Sequence, residues 1–385
     1  MSGTGSAQRT YTHHVPALDG LRGYAALLVT FYHAILHVDA TLVARVVAPA
    51  VTMVGAADLP IKLILAVFNG QAAVQLFYVL SGAVLCRSLL QVNWNVPGIG
   101  AFLLRRLLRL YPALMLSILL MWLMFLAYSA CSVDGYPQIN GKLAWHNGLL
   151  LDTKVNTPST SVQIELLATP FVLLFAFAYR RFATAGAVVL LALSLFAVER
   201  PELTFYLPNM SLSLLMFITG MAVALPESAH LFSRISSTGL ALVAAFALLF
   251  RQVMHLEWLS GLFGQALMMG ALIGFLMYAK VPTALQRLLE SRVSQYLGRV
   301  SYSYYLFNVP VLFVLWFTPA LSRLEQGAGP LWCGLAVGLA SLPLTLALAH
   351  VSQVWCEQPC INLGRRLSRL LQRSAVAPAP LRAPV

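Results

Sequence analysis

Apolar runs of about twenty residues recur along most of this chain, and they limit its folds more than any other feature. A helix rises about 1.5 Å per residue, so roughly twenty apolar residues cross a hydrocarbon core. The runs place spans near 17–38, 62–86, 110–130, 162–179, 183–198, 207–225, 237–253, 259–279, 300–319 and 331–355. Composition agrees. Of 385 residues, 59% are hydrophobic and only 10% charged, whereas a soluble domain carries about 25% charged residues. The expected fold is an all-α, polytopic transmembrane bundle of about ten spans. Residues 40–57 are apolar but interrupted by Arg45, Pro49 and Gly55, and read as a re-entrant or interfacial segment.

The net charge of +12 is unevenly spread. With ten spans and both termini cytoplasmic, 18 of the 25 Lys and Arg residues fall inside, as the positive-inside rule requires. Arg180, Arg181 and the tail arginines suit that topological role. The membrane domain is expected over residues 1–371, with an external loop at about 131–161 that is rich in turn residues and suited to a cap. Residues 372–385, ending in AVAPAPLRAPV, read as a disordered cytoplasmic tail. The first 16 residues are polar and no small-residue cleavage site follows an early apolar core, so the first span is expected to be retained. Five cysteines without CxxC or histidine spacing point to packing, with no metal and no disulfide framework. No nucleic-acid module is visible between the runs.

Ionisable and polar groups inside spans are costly, which makes them functional candidates. In LDGLRGYAALLVTFYHAILH, Arg22 and His33 are eleven residues apart. That is about three turns plus 20°, so both share a helix face, about 16 Å apart along the axis. His37 extends the stripe, and Asp19 is placed to orient Arg22. The plain alternative is a buried histidine bonded to a carbonyl and a snorkelling arginine. In FLLRRLLRLYP, Arg105, Arg106 and Arg109 stand at spacings that allow several forked hydrogen bonds to one polyanion. A basic helix anchored on anionic lipid fits the same residues. Pro112 is expected to break or kink the chain there. Gln75 and Ser81 punctuate an apolar helix and are candidate lining groups, while Gly82 suits close packing. Glu165, one turn inside its span, needs a partner: a loop lysine or a wet external cavity.

These groups occur together and in order, and the pattern resembles the membrane acyltransferase-3 family. Its opening motif is matched from Leu18 to His33, its second by GQAAVQLFYVLSG from Gly70 to Gly82, its third by RRLLRLYP from Arg105 to Pro112. Of its fourth, Ser161 and Glu165 remain, with Thr160 at the usual tryptophan position. LGRVSYSYYLFNVPV resembles a late motif, with Asn308 where the family has histidine, and Glu357 to Pro359 resembles its ExP. The resemblance spans essentially the whole chain.

The resemblance implies an acyl-CoA-dependent O-acyltransferase of the bacterial inner membrane, with acyl-CoA, by family default acetyl-CoA, as donor substrate rather than a bound cofactor. The acceptor is expected to be a hydroxyl of an extracytoplasmic or lipid-linked sugar. His33 would act as base or transient acyl carrier, with Arg22 and Glu165 beside it in the catalytic set. Arg105, Arg106 and Arg109 would hold the CoA phosphates, and Gln75, Ser81, Ser161, Asn308 and His37 would line the pocket or acceptor side. Two other readings stand at this level: a transporter or flippase of a lipid-linked sugar, and a non-catalytic scaffold.

Overall fold

The structure is a computed structural model, and it describes residues 14–131, 139–207, 209–253, 258–317 and 319–374. The described residues form helices and turns without a strand. In order these are α1 Pro16–Val38, α2 Leu59–Val67, α3 Gly70–Leu90, α4 Val96–Ala130, α5 Gly141–Gly148, α6 Ser159–Leu167 and α7 Thr169–Phe196. They continue as α8 Met210–Val223, α9 Ser237–Val253, α10 Trp258–Tyr278, α11 Ala284–Leu289, α12 Arg292–Trp316, α13 Pro319–Ser352 and α14 Gln358–Ser374.

Among the described residues, six helical stretches are long and apolar enough to cross a bilayer: Pro16–Val38, Leu59–Leu90, Val96–Ala130, Ser159–Phe196, Ser260–Tyr278 and Gly329–Arg373. Met210–Val223 and Ser237–Phe250 are apolar but shorter. The count is lower than the ten spans read from the sequence, for local reasons. The expected pair 162–179 and 183–198 lies in one stretch, yet Ala183 takes φ 49° and the chain reverses there. A Cβ built on Gly186 would lie 2.4 Å from the Ala178 carbonyl, eight residues back. An unbroken helix would keep such residues about 12 Å apart. α12 is absent from the six because it carries Ser301, Tyr302, Ser303, Tyr305 and Asn308. Those residues fill the centre of the bundle, where Ser301, Ser303, Tyr305 and Asn308 are buried.

Two other sequence boundaries move. The expected span 62–86 is two helices, because the Asn69 side chain caps α3 by accepting from the Ala72 amide at 3.0 Å. Pro112 does not end a helix; α4 runs through it. Residues 40–57 fold into two short helical turns, Val43–Val47 and Val51–Met53. Lys62, the first residue of the expected span 62–86, is 1% exposed and donates to the carbonyls of Val47 at 3.0 Å and Pro49 at 2.8 Å. Arg45 bridges Asp58 at 3.0 Å and Asp39 at 3.5 Å, closing the same segment.

α1 is the hub. It runs beside α12 in the same direction: Gly23 lies against Leu297 and Gly298, Ala34 shares a buried cluster with Leu312, and His37 reaches Phe313 and Trp316. α3 crosses α8 so closely that a Cβ on Gly82 would meet the Phe217 carbonyl at 2.1 Å, and one on Gly220 the Val79 carbonyl at 2.0 Å. Gly82 is therefore a packing residue. α14 lies along the first half of α4, where Ser368 donates to the Ala101 carbonyl at 3.0 Å. α14 continues through Ser374, past the expected start of the tail, and residues 375–385 lie outside the described residues.

The expected cap loop is folded where it is described. Asn147 is fully buried and donates to Ser159 Oγ at 2.8 Å. Its Oδ1 accepts from the amides of Val155 and Asn156 at 3.1 and 3.0 Å. Asn156 donates to Ser117 Oγ on α4 at 3.1 Å and to the Leu306 carbonyl on α12 at 3.0 Å. This chain of amides fixes the start of α6 between α4 and α12.

Candidate active site

Two connected cavities meet between α1, α3, α4, α6 and α12. They share Arg22, Ser81, Arg109, Leu110 and Glu165. The outer one, about 340 Å³, is lined by Arg22, Arg105, Arg106, Arg109 and Arg365. Glu165 is the one carboxylate in that lining. The inner one, about 70 Å³, is lined by the rings of Phe77, Tyr78, Tyr302 and Tyr305, with Ser161 and Glu165. A polyanion would be drawn to the first. Only a slender group enters the second.

The three arginines of α4 do different things. Arg106 is 7% exposed. Its Nη2 donates to the Glu165 backbone carbonyl at 2.6 Å and lies 3.4 Å from Glu165 Oε1. The carboxylate that needed a partner thus finds it in Arg106, not in a loop lysine. Arg109, by contrast, is exposed in the cavity and makes no hydrogen bond or ion pair among the described residues. Arg105 is partly exposed on the same wall. Arg22 pairs with Asp19 at 3.6 Å, as their i, i+3 spacing predicted. Asp19 also takes His14 Nε2 at 2.5 Å.

Ser81 Oγ lies 3.4 Å from Glu165 Oε1. Ser161 Oγ and the Tyr305 hydroxyl are 2.8 Å apart. Thr160, at the family's tryptophan position, bonds Thr153 Oγ1 at 2.9 Å.

His33 lines neither cavity. It is partly buried, its ring 6.1 Å from that of Tyr32, and it makes no hydrogen bond among the described residues. The α1–α12 register sets it between the levels of Asn308 and Leu312, about one turn beyond Tyr305. The shared helix face of Arg22 and His33 therefore joins a residue inside the cavity to one past its end. His37 is exposed and stacks on Trp316, ring centroids 3.5 Å apart at 14°. Gln75 Oε1 and Asn308 Oδ1 are buried and have no hydrogen-bond partner among the described residues, while Asn308 Nδ2 donates to the Tyr305 carbonyl at 2.7 Å.

Sequence reasoning missed four contributors. Tyr302 (its hydroxyl donates to the Leu110 carbonyl at 2.6 Å) and Tyr305 lie in the LGRVSYSYYLFNVPV motif, from which the sequence singles out only Asn308. Arg365 was assigned to topology, yet it closes the outer cavity. Glu357 is buried and held by Ser303 at 3.0 Å beside this group of helices.

A family model described as an acyltransferase domain, that of the acyltransferase-3 family, matches residues 15–350. The chain belongs to the acyltransferase-3 family. Comparison with curated proteins and with solved structures gives no match. Family membership makes the protein a membrane acyltransferase and sets aside the transporter and scaffold readings. Its several long apolar helices make it a multi-pass integral membrane protein.

Proposed function

We propose that this acyltransferase moves an acyl group, acetyl by family default, from acyl-CoA to a hydroxyl of an extracytoplasmic or lipid-linked sugar in a bacterial inner membrane. One observation carries the donor assignment: five arginines surround a single cavity that narrows into an aromatic-walled chamber. CoA is a polyanion with a long, slender arm ending in the thioester. Forked, charge-assisted hydrogen bonds suit its phosphates.

The phosphates sit against Arg109, Arg105 and Arg365. Arg106 supports Glu165 and lends its positive charge to the same wall. Arg22 stands at the junction and steers the arm inward. With both termini cytoplasmic, these arginines face the cytoplasm, the side from which CoA comes.

His33 does the chemistry by one of two balanced routes. As a base it takes the proton of the acceptor hydroxyl; the oxygen bonds to the acyl carbon, the C–S bond breaks and CoA leaves as thiolate. As a nucleophile its ring nitrogen takes the acyl group first, releasing the same thiolate; the acceptor oxygen then bonds to the acyl carbon, the C–N bond breaks, and the freed imidazole takes the hydroxyl proton. The buried oxygens of Gln75 and Asn308, without a hydrogen-bond partner among the described residues, suit hydroxyl donors on the acceptor. His37 stands at the far end of α1 and relays the proton outward.

The test uses purified enzyme with acetyl-CoA and total envelope glycan, read by the acetyl mass gained. His33→Ala should abolish transfer while CoA still binds. Full transfer by that variant overturns the assignment of His33.

A further inference from the structure

The donor reading requires the thioester to travel from the arginine-lined cavity to His33, yet the inner chamber stops about one turn short of it. Of the α12 residues that line the chamber, Tyr305 lies furthest along the helix toward His33. Its ring is held edge-on by Phe77, centroids 5.4 Å apart at 66°. Its hydroxyl is held by Ser161 Oγ at 2.8 Å. Its backbone carbonyl is fixed separately by Asn308. The chamber is thus lined there by a side chain on a fixed backbone, latched across α6 and α12 by one hydrogen bond between two neutral hydroxyls.

We infer that the Ser161–Tyr305 hydrogen bond is the inner door of the donor chamber, and that Tyr305 thereby determines whether the acyl group meets an acceptor or water. The inference rests on the donor reading above. Closed, the door separates His33 from the solvent that fills the arginine-lined cavity. Open, it admits the pantetheine arm, which occupies the narrow chamber and takes the place of water. A door left ajar lets water reach the thioester at His33. Water's oxygen then bonds to the acyl carbon, the C–S bond breaks, and free acid and CoA thiol leave without an acceptor. A latch of this kind is weak enough to yield to an arriving substrate, since one neutral hydrogen bond contributes little net stability.

Tyr305→Phe removes the latch and keeps the ring. Ser161→Ala removes it from the other side and also loses the contact between Ser161 and Tyr78. The reporter is His33→Cys in the full chain, labelled by a charged maleimide that does not cross bilayers and read above the background of the five native cysteines. Each door variant should speed labelling about fivefold, the equivalent of about 1 kcal/mol. An unchanged rate in both variants overturns the door. With His33 in place and no acceptor, Tyr305→Phe should also raise thiol release from acetyl-CoA severalfold. Faster labelling with unchanged thiol release overturns the role in specificity. Failure of the donor reading shows separately, as wild-type enzyme that binds no CoA, while the labelling still reports the door.

Discussion

Arg106 donates to the backbone carbonyl of Glu165 at 2.6 Å, and its neighbour one turn on, Arg109, makes no hydrogen bond or ion pair among the described residues. Two arginines of one motif thus divide into a brace and a cation that faces the cavity. Arg106→Ala should destabilise the protein by about 1–3 kcal/mol, because it takes the charged donor from a partly buried carbonyl and a largely shielded carboxylate. A thermal unfolding midpoint in detergent will read this loss.

Arg109→Ala should leave that midpoint unchanged and raise the KM for acetyl-CoA. Loss of one charge-assisted bond of about 1.5 kcal/mol corresponds to roughly tenfold. Equal melting losses in both variants would refute the division.

Arg365 lies at the rim of the same cavity on α14, exposed to solvent. Arg365→Ala should raise the donor KM by no more than about fivefold, since exposed pairs contribute about 0–1 kcal/mol. The difference from wild type should shrink as salt rises, which a KM series from low to high ionic strength will check.

Gly82 and Gly220 bring α3 and α8 into backbone contact. Gly82→Ala places a methyl 2.1 Å from the Phe217 carbonyl, a backbone atom that a rotamer change does not move away. The expected cost is about 1–3 kcal/mol, visible as a lowered unfolding midpoint. Gly100 has nothing within 4 Å of a built Cβ, so Gly100→Ala is the control and should not destabilise.

Asn156 ties the segment before α6 to both α4 and α12. Asn156→Ala should loosen residues 159–167 ahead of the rest of the bundle. Hydrogen exchange across that stretch should speed up, by about tenfold if about 1.4 kcal/mol of local stability is lost. Uniform acceleration across all helices would instead mean that the asparagine supports the whole fold.

The membrane class, the all-helical fold and the acyltransferase-3 membership were legible in the chain's apolar runs and motif order. Arg22, Arg105, Arg106, Arg109, Ser81, Ser161 and Glu165 were all named from sequence, and the fold brings them to one pair of cavities. Helical spacing also foresaw the Arg22–Asp19 pair. It did not foresee that Ala183 reverses a helix, that Lys62 is buried, or that α12 supplies the chamber's aromatic wall. Hydropathy averages over a window and misses a single residue's dihedral. Hydropathy reads α12 as one more span, 300–319; that its Tyr302 and Ser303 hydroxyls find the Leu110 carbonyl and Glu357 depends on neighbours that the sequence places far away.

What the sequence determines here is anything set by local period and charge: which segments are apolar enough for lipid, and which residues share a helix face. Arg22 and His33 share a face by arithmetic alone. Only the tertiary structure decides that Tyr305 lines the cavity containing Arg22 and that His33 does not, because Ser161 and Tyr305, joined there by a hydrogen bond, lie 144 positions apart. It also decides which arginine is spent. The partner that consumes Arg106, Glu165, lies 59 residues away, and no spacing rule within one helix reaches that far.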